Sequence, residues 1–344
     1  MRRTFIIGKS FFPNIANDKD IIFIEYRKHK YHNLFKKLIW YIIRTYRAYS
    51  GVKTCHWGAR VLFGNRFVDE IRKITSEDKV LIWDIPSIKT NIMLHQELTT
   101  DEIMTFLWNP VCSLYQSRFS LWKFLHYKEN NHFLYSTFDP YDARMHNMLL
   151  LPQVYDFSQL HQCINDNTDK AILYDVAFLA ALKGREYEIY KTYERLKDEN
   201  LIVFLYLFHP NTRIRIPEIL RTYLHTEKIQ YDEYIKQAIH SKAILEIVQK
   251  GQEGMSLRPL EAVILKKKLI TNNVNMVNEK IYHPDNVYIL NYRNKYSTIR
   301  EFLEASYVDL PEELKQRHDI RVWMQQNIIS ASLDKKQLSY PGKS

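Results

Sequence analysis

Two glutamates give this sequence its most distinctive chemical pattern. Glu253 and Glu261 are separated by the seven residues GMSLRPL, and Gly251 and Gly254 lie in the same stretch. A loop with glycines that runs into a helix N-terminus exposes N–H groups and the positive end of the helix dipole, which suits a phosphate. Arg258 would add a fixed fork of donors, and the carboxylates would accept hydrogen bonds from a ribose or another sugar.

The same spacing has a second interpretation. Glu253 can be a solvated loop residue and Glu261 a surface residue of an ordinary loop–helix junction. Spacing alone does not choose between this junction and a site for a phosphorylated sugar.

Strand-like and helical patterns alternate along both halves of the chain and would position these residues. The strands predicted from apolar runs are residues 4–8, 20–26, 79–85, 103–110, 132–139, 170–181, 201–208, 242–248, 268–273 and 286–291. The predicted helices are residues 32–51, 65–78, a stretch from 87, 116–131, 186–200, 231–241 and 257–267. This alternation is typical of βα units around a parallel sheet. The sequence therefore predicts an α/β fold with two Rossmann-like domains that face each other across a cleft, the default place for a ligand.

The restart of the pattern halfway along the chain sets the expected domain boundaries. We expect an N-terminal domain over residues 1–155, a C-terminal domain over 156–310 and a helical tail over 311–344. The polar stretch 156–169 is the best candidate for the linker between the domains.

Composition limits the compartment and the partners. The chain has 344 residues, 46% of them hydrophobic, and a formal net charge of +10, which indicates a globular protein with an anionic partner. That partner can be nucleic acid, a phosphorylated substrate or acidic lipid. Cys55, Cys112 and Cys163 lie far apart, which argues against a disulfide framework or a zinc site. With neither a signal-like start nor a long apolar run, we expect a cytoplasmic protein, or one on the cytoplasmic face of a membrane.

The segment 27–49 is a candidate membrane contact. It carries seven Lys or Arg residues and no acid. On a helix its apolar side would be Leu34, Leu38, Tyr41, Ile42 and Thr45. Basic residues beside aromatic side chains suit an anionic membrane surface, although a core helix with a solvated basic face has the same pattern.

A resemblance to a known group of enzymes adds to this reading. The strings SKAILEI, GQEGMSLRPLE and KKLITNN, within residues 241–273, resemble bacterial glycosyltransferases of lipopolysaccharide and capsular polysaccharide biosynthesis, which have the GT-B fold. YSTFDPYDAR (135–144), VAFLAALKGREYEIY (176–190) and HPDNVYILN (283–291) are similar to the same group. The resemblance implies transfer of a sugar from a nucleotide-sugar donor to a growing glycan or a lipid-linked acceptor. It also implies a C-terminal domain that binds the nucleotide sugar, and a tail that packs back on the first domain.

The resemblance assigns roles to the glutamate pair and the loop between them. Glu261 would accept hydrogen bonds from the ribose, and Glu253 would lie at the transferred sugar or the reacting phosphate. Gly254, Met255 and Ser256 would offer donors to the diphosphate.

The resemblance also implies cationic groups that stabilise the leaving nucleoside diphosphate. Lys183 and Arg185 would neutralise its charge, with Arg258 as a further candidate and no metal or other cofactor expected. His209 would face the base or the phosphate. For Lys183 and Arg185, an ordinary basic loop is the alternative.

The remaining acidic and histidine candidates are weaker. Asp139 and Asp142 have D-x-x-D spacing, which favours a turn over a metal site, and a general base could be Asp84, His95 or Asp139. The alternative functions are a UDP-sugar epimerase, a noncatalytic nucleotide-sugar or glycan-binding protein, and a nucleic-acid-binding protein. No nucleic-acid-binding motif accompanies the charge, so we expect no nucleic-acid partner.

Overall fold

The computed structural model describes residues 3–9, 12, 15, 20–26, 38–43, 45–46, 59–60, 64–130, 133–167, 171–211 and 213–333. The chain divides into two compact units. Unit 1 draws on Met1–Leu151 and Arg321–Ser344, and unit 2 is Pro152–Ile320.

Unit 1 contains, within its described residues, a sheet of six parallel strands. They are β1 (Thr4–Gly8), β2 (Ile21–Glu25), β3 (Lys79–Trp83), β4 (Ile103–Leu107), β5 (Leu134–Thr137) and β6 (Leu149–Leu150). Their order across the sheet is β2-β1-β3-β4-β5-β6. β1, β3 and β4 are buried along their whole length, and a strand buried on both faces is an unbroken apolar run such as TFIIG.

Unit 2 contains a second parallel sheet of six described strands. They are β7 (Tyr174–Ala181), β8 (Val203–Phe208), β9 (Leu224–His225), β10 (Ser241–Glu246), β11 (Lys268–Thr271) and β12 (Val287–Ile289). Their order is β12-β11-β10-β7-β8-β9. Counted within the unit, this is the 3-2-1-4-5-6 order of Rossmann folds, in which the winding reverses between β7 and β10.

Helices connect the strands of both sheets. The described α-helices are α1 (Asn65–Ile71), α2 (Ile88–Glu97), α3 (Val111–Leu114), α4 (Arg118–Asn130), α5 (Pro140–His146), α6 (Phe157–Asp166), α7 (Glu186–Asp198), α8 (Tyr231–Ile239), α9 (Arg258–Ile264), α10 (Ile299–Glu304), α11 (Glu312–Gln316) and α12 (Ile320–Met324). The structure also has short 3₁₀ segments at Glu218–Tyr223 and Val274–Asn278, a π-helical turn at Gln325–Ile329, and helical residues at 38–43, 45–46 and 59–60.

The end of the described chain belongs to the core of unit 1. Trp323 is 0% exposed, as are Met324 and Ile328. Lys79, at the start of β3, donates from its buried ammonium to the carbonyl oxygens of Ile328 (3.1 Å), Ile329 and Ala331. This one side chain therefore fixes the last described turn to the sheet.

The structure corrects one sequence expectation, the linker, and agrees with another, the helix 32–51, where that helix is described. The stretch 156–169, predicted as a linker, contains helix α6, whose N-terminus is capped by Asp156 and whose Phe157 and Leu160 are buried in unit 2. The predicted helix 32–51 is helical at residues 38–43 and 45–46, and its remainder lies outside the described residues.

Candidate active site

The sheet of unit 2 has a switch point, the part of a parallel sheet at which ligands commonly bind. In open parallel sheets, ligands bind beyond the carboxyl ends of the strands where the winding reverses. In unit 2 that place lies between the loops that follow β7 and β10. The first loop carries Lys183 and Arg185, and the second carries Glu253 to Ser256, so the topology brings these predicted site residues to one edge.

The loop after β7 turns sharply and is closed by Arg185. Lys183 has a φ of 49° and Gly184 a φ of 77°, a left-handed pair that favours glycine. The Arg185 guanidinium donates to the carbonyl oxygens of Ala181 (2.5 Å), Leu182 (3.2 Å) and Ile247. Because Ile247 follows β10, this one cation joins the two loops of the switch point.

Arg185 keeps its charge at a place that disfavours it. Burial, followed by the neighbouring charge of Arg258, lowers the pKa of Arg185 to about 10. Two guanidinium groups close enough to repel each other stand at the edge where a ligand is expected. An anion bound beside them would relieve that repulsion.

Arg258 is held by the second glutamate of the pair. Its guanidinium lies 2.5 Å from a carboxylate oxygen of Glu261, 3.3 Å from the Leu179 carbonyl oxygen and 3.9 Å from the ring centroid of Tyr234. Burial alone would lower the pKa of Arg258, but Glu261 and then Tyr234 outweigh it and raise that pKa above the usual value.

Glu261 is 0% exposed. Besides Arg258, its carboxylate accepts hydrogen bonds from the phenols of Tyr234 (3.0 Å), Tyr155 (3.5 Å) and Tyr231 (3.5 Å). Burial raises the pKa of Tyr234 and of Tyr231, and both stay neutral donors. The alternative in which Glu261 is an ordinary surface residue is therefore wrong. Ribose binding by Glu261 stays a prediction, and it would have to share the carboxylate with these four partners.

The loop between the two glutamates is fixed by its own backbone groups. The Ser256 N–H donates to a carboxylate oxygen of Glu246 at 2.9 Å, and the Ser256 hydroxyl accepts from the Arg258 N–H at 3.2 Å. The Met255 side chain is buried in the core of unit 2, while Gly254 accepts at its carbonyl from Gln252 at 2.9 Å. The donor roles predicted for Gly254, Met255 and Ser256 thus stay predictions.

Glu253 and the other predicted residues lie at the same edge with different surroundings. The Glu253 carbonyl accepts from the side-chain amide of Asn273 at 3.0 Å. Lys183 is exposed, and His209 is half-buried in the loop after β8, where its Nδ1 contacts the backbone of Asn211. No contact joins His209 to the Arg185–Arg258 pair within the described residues, so its role stays a prediction.

Unit 1 offers one general-base candidate at its own switch point. The winding of its sheet reverses between β1 and β3, and Asp84 follows β3 with a φ of 45°. Its carboxylate accepts from the Trp108 N–H at 3.1 Å and the Asn109 amide at 2.9 Å. His95, by contrast, lies on α2 with its ring stacked 3.8 Å from that of Phe133.

The D-x-x-D pair serves two helix starts. Asp139 caps α5 by accepting from the backbone N–H groups of Tyr141 and Asp142. Asp142 is 0% exposed and accepts from the Val111 N–H at 2.7 Å. Burial, ahead of the charge of Asp139, raises the pKa of Asp142 to about 7. Among the described residues, no group of three or more His, Cys, Asp and Glu side chains could hold a metal ion.

Sequence reasoning missed the groups that hold the site together. Glu246 and Thr271 are register partners on β10 and β11, and three tyrosines surround Glu261. A glutamate inside the apolar run AILEI is the signal that could have identified Glu246, because a buried carboxylate needs partners. The tyrosines gave no comparable signal, since they come from three separate segments.

Comparison with known proteins identifies the fold. No protein-family model and no curated protein sequence matches the chain. Among solved structures, a trehalose-6-phosphate synthase studied with bisubstrate glycomimetics of glycosyl transfer with retention has a TM-score of 0.55 at 12% identity, covering 94% of this chain and 97% of that one. The trehalose-6-phosphate synthase OtsA has a TM-score of 0.54 at 11% identity, with coverages of 94% and 97%.

A third similar structure is a UDP-forming trehalose-phosphate synthase from Burkholderia xenovorans in complex with glucose-6-phosphate. Its TM-score is 0.53 at 10% identity, covering 97% of this chain and 99% of that one. Likeness at such identities shows the fold. The predicted fold class is confirmed: this is an α/β chain with two parallel sheets of six described strands, as in GT-B glycosyltransferases.

Proposed function

We propose that this protein is a glycosyltransferase that takes its sugar from a nucleotide-sugar donor bound at the switch point of unit 2. The observation that carries the proposal is the pair of guanidinium groups, Arg185 and Arg258, held at the carboxyl edge where β7 and β10 diverge. A departing nucleoside diphosphate gathers negative charge on its phosphate oxygens, and preorganised cations stabilise that charge. The fold likeness to trehalose-6-phosphate synthases supports the same class of reaction.

The acceptor we propose is a growing surface glycan or its lipid-linked precursor. This rests on the resemblance of residues 241–273 to enzymes of lipopolysaccharide and capsule synthesis. One of the similar structures is a complex with glucose-6-phosphate. A sugar phosphate is therefore the alternative acceptor to compare with a glycan in the transfer assay.

The donor site is tested with the wild-type chain and one variant pair. Thermal shift with UDP-, GDP-, CMP- and dTDP-sugars identifies the donor, because a ligand at 100 times its dissociation constant adds about 2.7 kcal/mol to the free energy of unfolding. Donor hydrolysis is then followed in Lys183→Ala and in the control Lys191→Ala. Both lysines belong to unit 2, and Lys191 lies on α7, outside the switch-point loops.

Lys183 is the exposed cation of the loop after β7, so its replacement tests charge stabilisation while the hydrogen bonds of Arg185 and Arg258 stay in place. We expect Lys183→Ala to lower turnover roughly 100-fold, with Lys191→Ala unchanged. Equal turnover in the two variants would contradict the predicted role of Lys183 at the leaving diphosphate. Donor binding without turnover would indicate a binding protein, and conversion of a UDP-sugar without any acceptor would indicate an epimerase.

We also propose contact with an anionic membrane surface through residues 38–46. Leu38, Tyr41 and Ile42 are each more than half exposed, on the side that the sequence predicted as apolar. Neighbouring apolar side chains that are exposed on one side of a helix are typical of an interaction site, and the net basic sequence around them fits acidic lipid. No helix in the described part of the chain is both long and apolar enough to cross a bilayer.

Vesicle sedimentation tests this contact. We expect the wild-type chain to sediment with vesicles of acidic lipid, and a variant with Lys36, Lys37, Arg44 and Arg47 replaced by Gln to stay in solution. Sedimentation that survives both this change and high salt would exclude an electrostatic contact.

A further inference from the structure

Glu246 is a buried carboxylate inside an apolar strand. It ends β10, is 2% exposed and follows Ala243, Ile244 and Leu245. A carboxylate is costly to bury unless hydrogen bonds satisfy it. Its partners therefore indicate why a glutamate stands there.

Both oxygens of this carboxylate are used, and they face two different segments. One oxygen accepts from the Ser256 N–H at 2.9 Å, ten residues along the chain. The other accepts from the Thr271 hydroxyl at 2.6 Å on the neighbouring strand. Thr271 is the register partner of Glu246, so the sheet itself sets the orientation of the carboxylate.

The rest of the loop is fixed from the same side. The Asn272 side-chain oxygen accepts from the Val248 N–H at 2.8 Å, and the Asn273 side-chain amide donates to the Glu253 carbonyl at 3.0 Å. The loop after β10 is thus held at its beginning by Asn272, in its middle by Asn273 and at its end by Glu246. Of these three attachments, the one at Ser256 involves an ionisable acceptor and is the strongest in kind.

We propose that Glu246 is a positioning residue that sets the conformation of the loop 253–256, and through it the place of Arg258. The expected effect on binding of the nucleotide-sugar donor rests on the function proposed above. Ser256 connects Glu246 to Arg258, because the Ser256 N–H donates to Glu246 while the Ser256 hydroxyl accepts from the Arg258 N–H.

Two substitutions separate hydrogen bonding from packing. Glu246→Gln keeps an oxygen for the Ser256 N–H and presents an N–H to the Thr271 hydroxyl. This variant should therefore keep the wild-type conformation of the loop 253–256. Glu246→Leu fills a similar volume but leaves both donors without an acceptor. Glu279→Gln is the matched control, because Glu279 is a partly buried carboxyl close enough to feel the charge of Glu246, with no side-chain hydrogen bond to the loop.

The first measurement is amide hydrogen exchange of peptides that contain residues 253–257, in the full chain without ligand. We expect exchange in Glu246→Leu to be roughly tenfold faster than in the wild type, which corresponds to about 1.4 kcal/mol. Glu246→Gln and Glu279→Gln should stay within about threefold of the wild type. Equal exchange in all four proteins overturns the proposal, and so does equally fast exchange in Glu246→Gln and Glu246→Leu.

The second measurement is the affinity for UDP and GDP by calorimetry. We expect Glu246→Leu to bind the preferred nucleotide roughly tenfold more weakly, with Glu246→Gln and Glu279→Gln close to the wild type. Unchanged affinity in Glu246→Leu overturns the link between the loop and the donor. If the wild type binds neither nucleotide nor any donor sugar, the proposed function fails, while the exchange result still decides the role of Glu246 in the loop.

Discussion

Replacing Arg258 by Met tests whether the Arg258–Glu261 pair is a unit of the fold. The change keeps a long apolar side chain and removes the guanidinium. It leaves the Glu261 carboxylate, which is 0% exposed, with only phenol donors. The same change removes the cation that lies 3.9 Å from the Tyr234 ring centroid.

The expected loss follows from these contacts. Removing one partner of a buried ion pair costs about 3–5 kcal/mol, and the lower end applies because the Tyr234 phenol still donates at 3.0 Å. The lost interaction with the Tyr234 ring adds about 1 kcal/mol. We therefore expect the free energy of unfolding of unit 2 to fall by about 4 kcal/mol.

A second substitution turns this into a coupling measurement. Glu261→Gln in the Arg258→Met background removes the unpaired buried charge, so about 2 kcal/mol of the loss should return. In the wild-type background the same Glu261→Gln should instead cost about 1–3 kcal/mol. Opposite signs of the Glu261→Gln effect on the free energy of unfolding in the two backgrounds would show that Arg258 and Glu261 are energetically coupled.

The distribution of tryptophan provides the assay. All six tryptophans of the sequence lie outside residues 152–320. Tryptophan fluorescence in a urea titration therefore follows unit 1, while far-ultraviolet circular dichroism follows both units. Arg258→Met should lower the urea concentration at which unit 2 unfolds, measured by circular dichroism, and leave the fluorescence transition of unit 1 unchanged. If Glu261→Gln costs the same with and without Arg258, the pair contributes nothing and our account of Glu261 is refuted.

Three further predictions concern unit 1. Burial raises the pKa of Asp142 to about 7 in the folded chain, whereas the pKa of an aspartate in an unfolded chain is about 3.9. The protonated Asp142 carboxyl therefore makes its full contribution to the free energy of unfolding below about pH 4, and this contribution is lost as the pH rises through 7. Asp142→Asn should remove this pH dependence. In urea titrations, the free energy of unfolding of the variant should rise relative to that of the wild type by up to about 4 kcal/mol between pH 4 and pH 8. A difference between variant and wild type that does not change with pH would contradict this prediction. Asp84→Asn should cost about 1 kcal/mol in the fluorescence transition, because the Trp108 N–H and the Asn109 amide face different carboxylate oxygens and one of these becomes an NH2 that cannot accept. Lys79→Met should leave carbonyls of residues 328–331 without their donor, and limited proteolysis with mass spectrometry should then show faster cleavage there than in the wild type.

The sequence predicts most of the strands because their burial makes them continuous apolar runs. Residues 4–8 are predicted and observed as β1, and the predicted 201–208 is observed as Val203–Phe208. Helix α6 escaped prediction because its apolar residues are sparse in a polar stretch, although Asp156 is a good helix cap. The two-residue strands β6 and β9 carry no pattern at all, since pairing with a longer neighbour creates them.

The candidate site could be predicted only where its residues are close in sequence. Arg258 and Glu261 are three residues apart on α9, and neighbours at that spacing on a helix can meet. Glu246 meets Thr271 only because β10 and β11 pair in a particular register, and that register is a property of the whole sheet. Side-chain types therefore predicted a candidate loop, while the groups that fix the conformation of that loop depended on tertiary structure.

The discontinuity of unit 1 has a consequence for how the chain is made. Its core includes Trp323, Met324 and Ile328, which are separated from β1–β6 by the whole of unit 2. During synthesis, unit 2 can finish folding while unit 1 still lacks these side chains and Lys79 still lacks its carbonyl partners. A nascent chain that has emerged only as far as residue 320 should therefore expose an incomplete apolar core in unit 1, the kind of surface that chaperones bind and that aggregates. The turns around residues 323–328 thus determine when unit 1 reaches its native state.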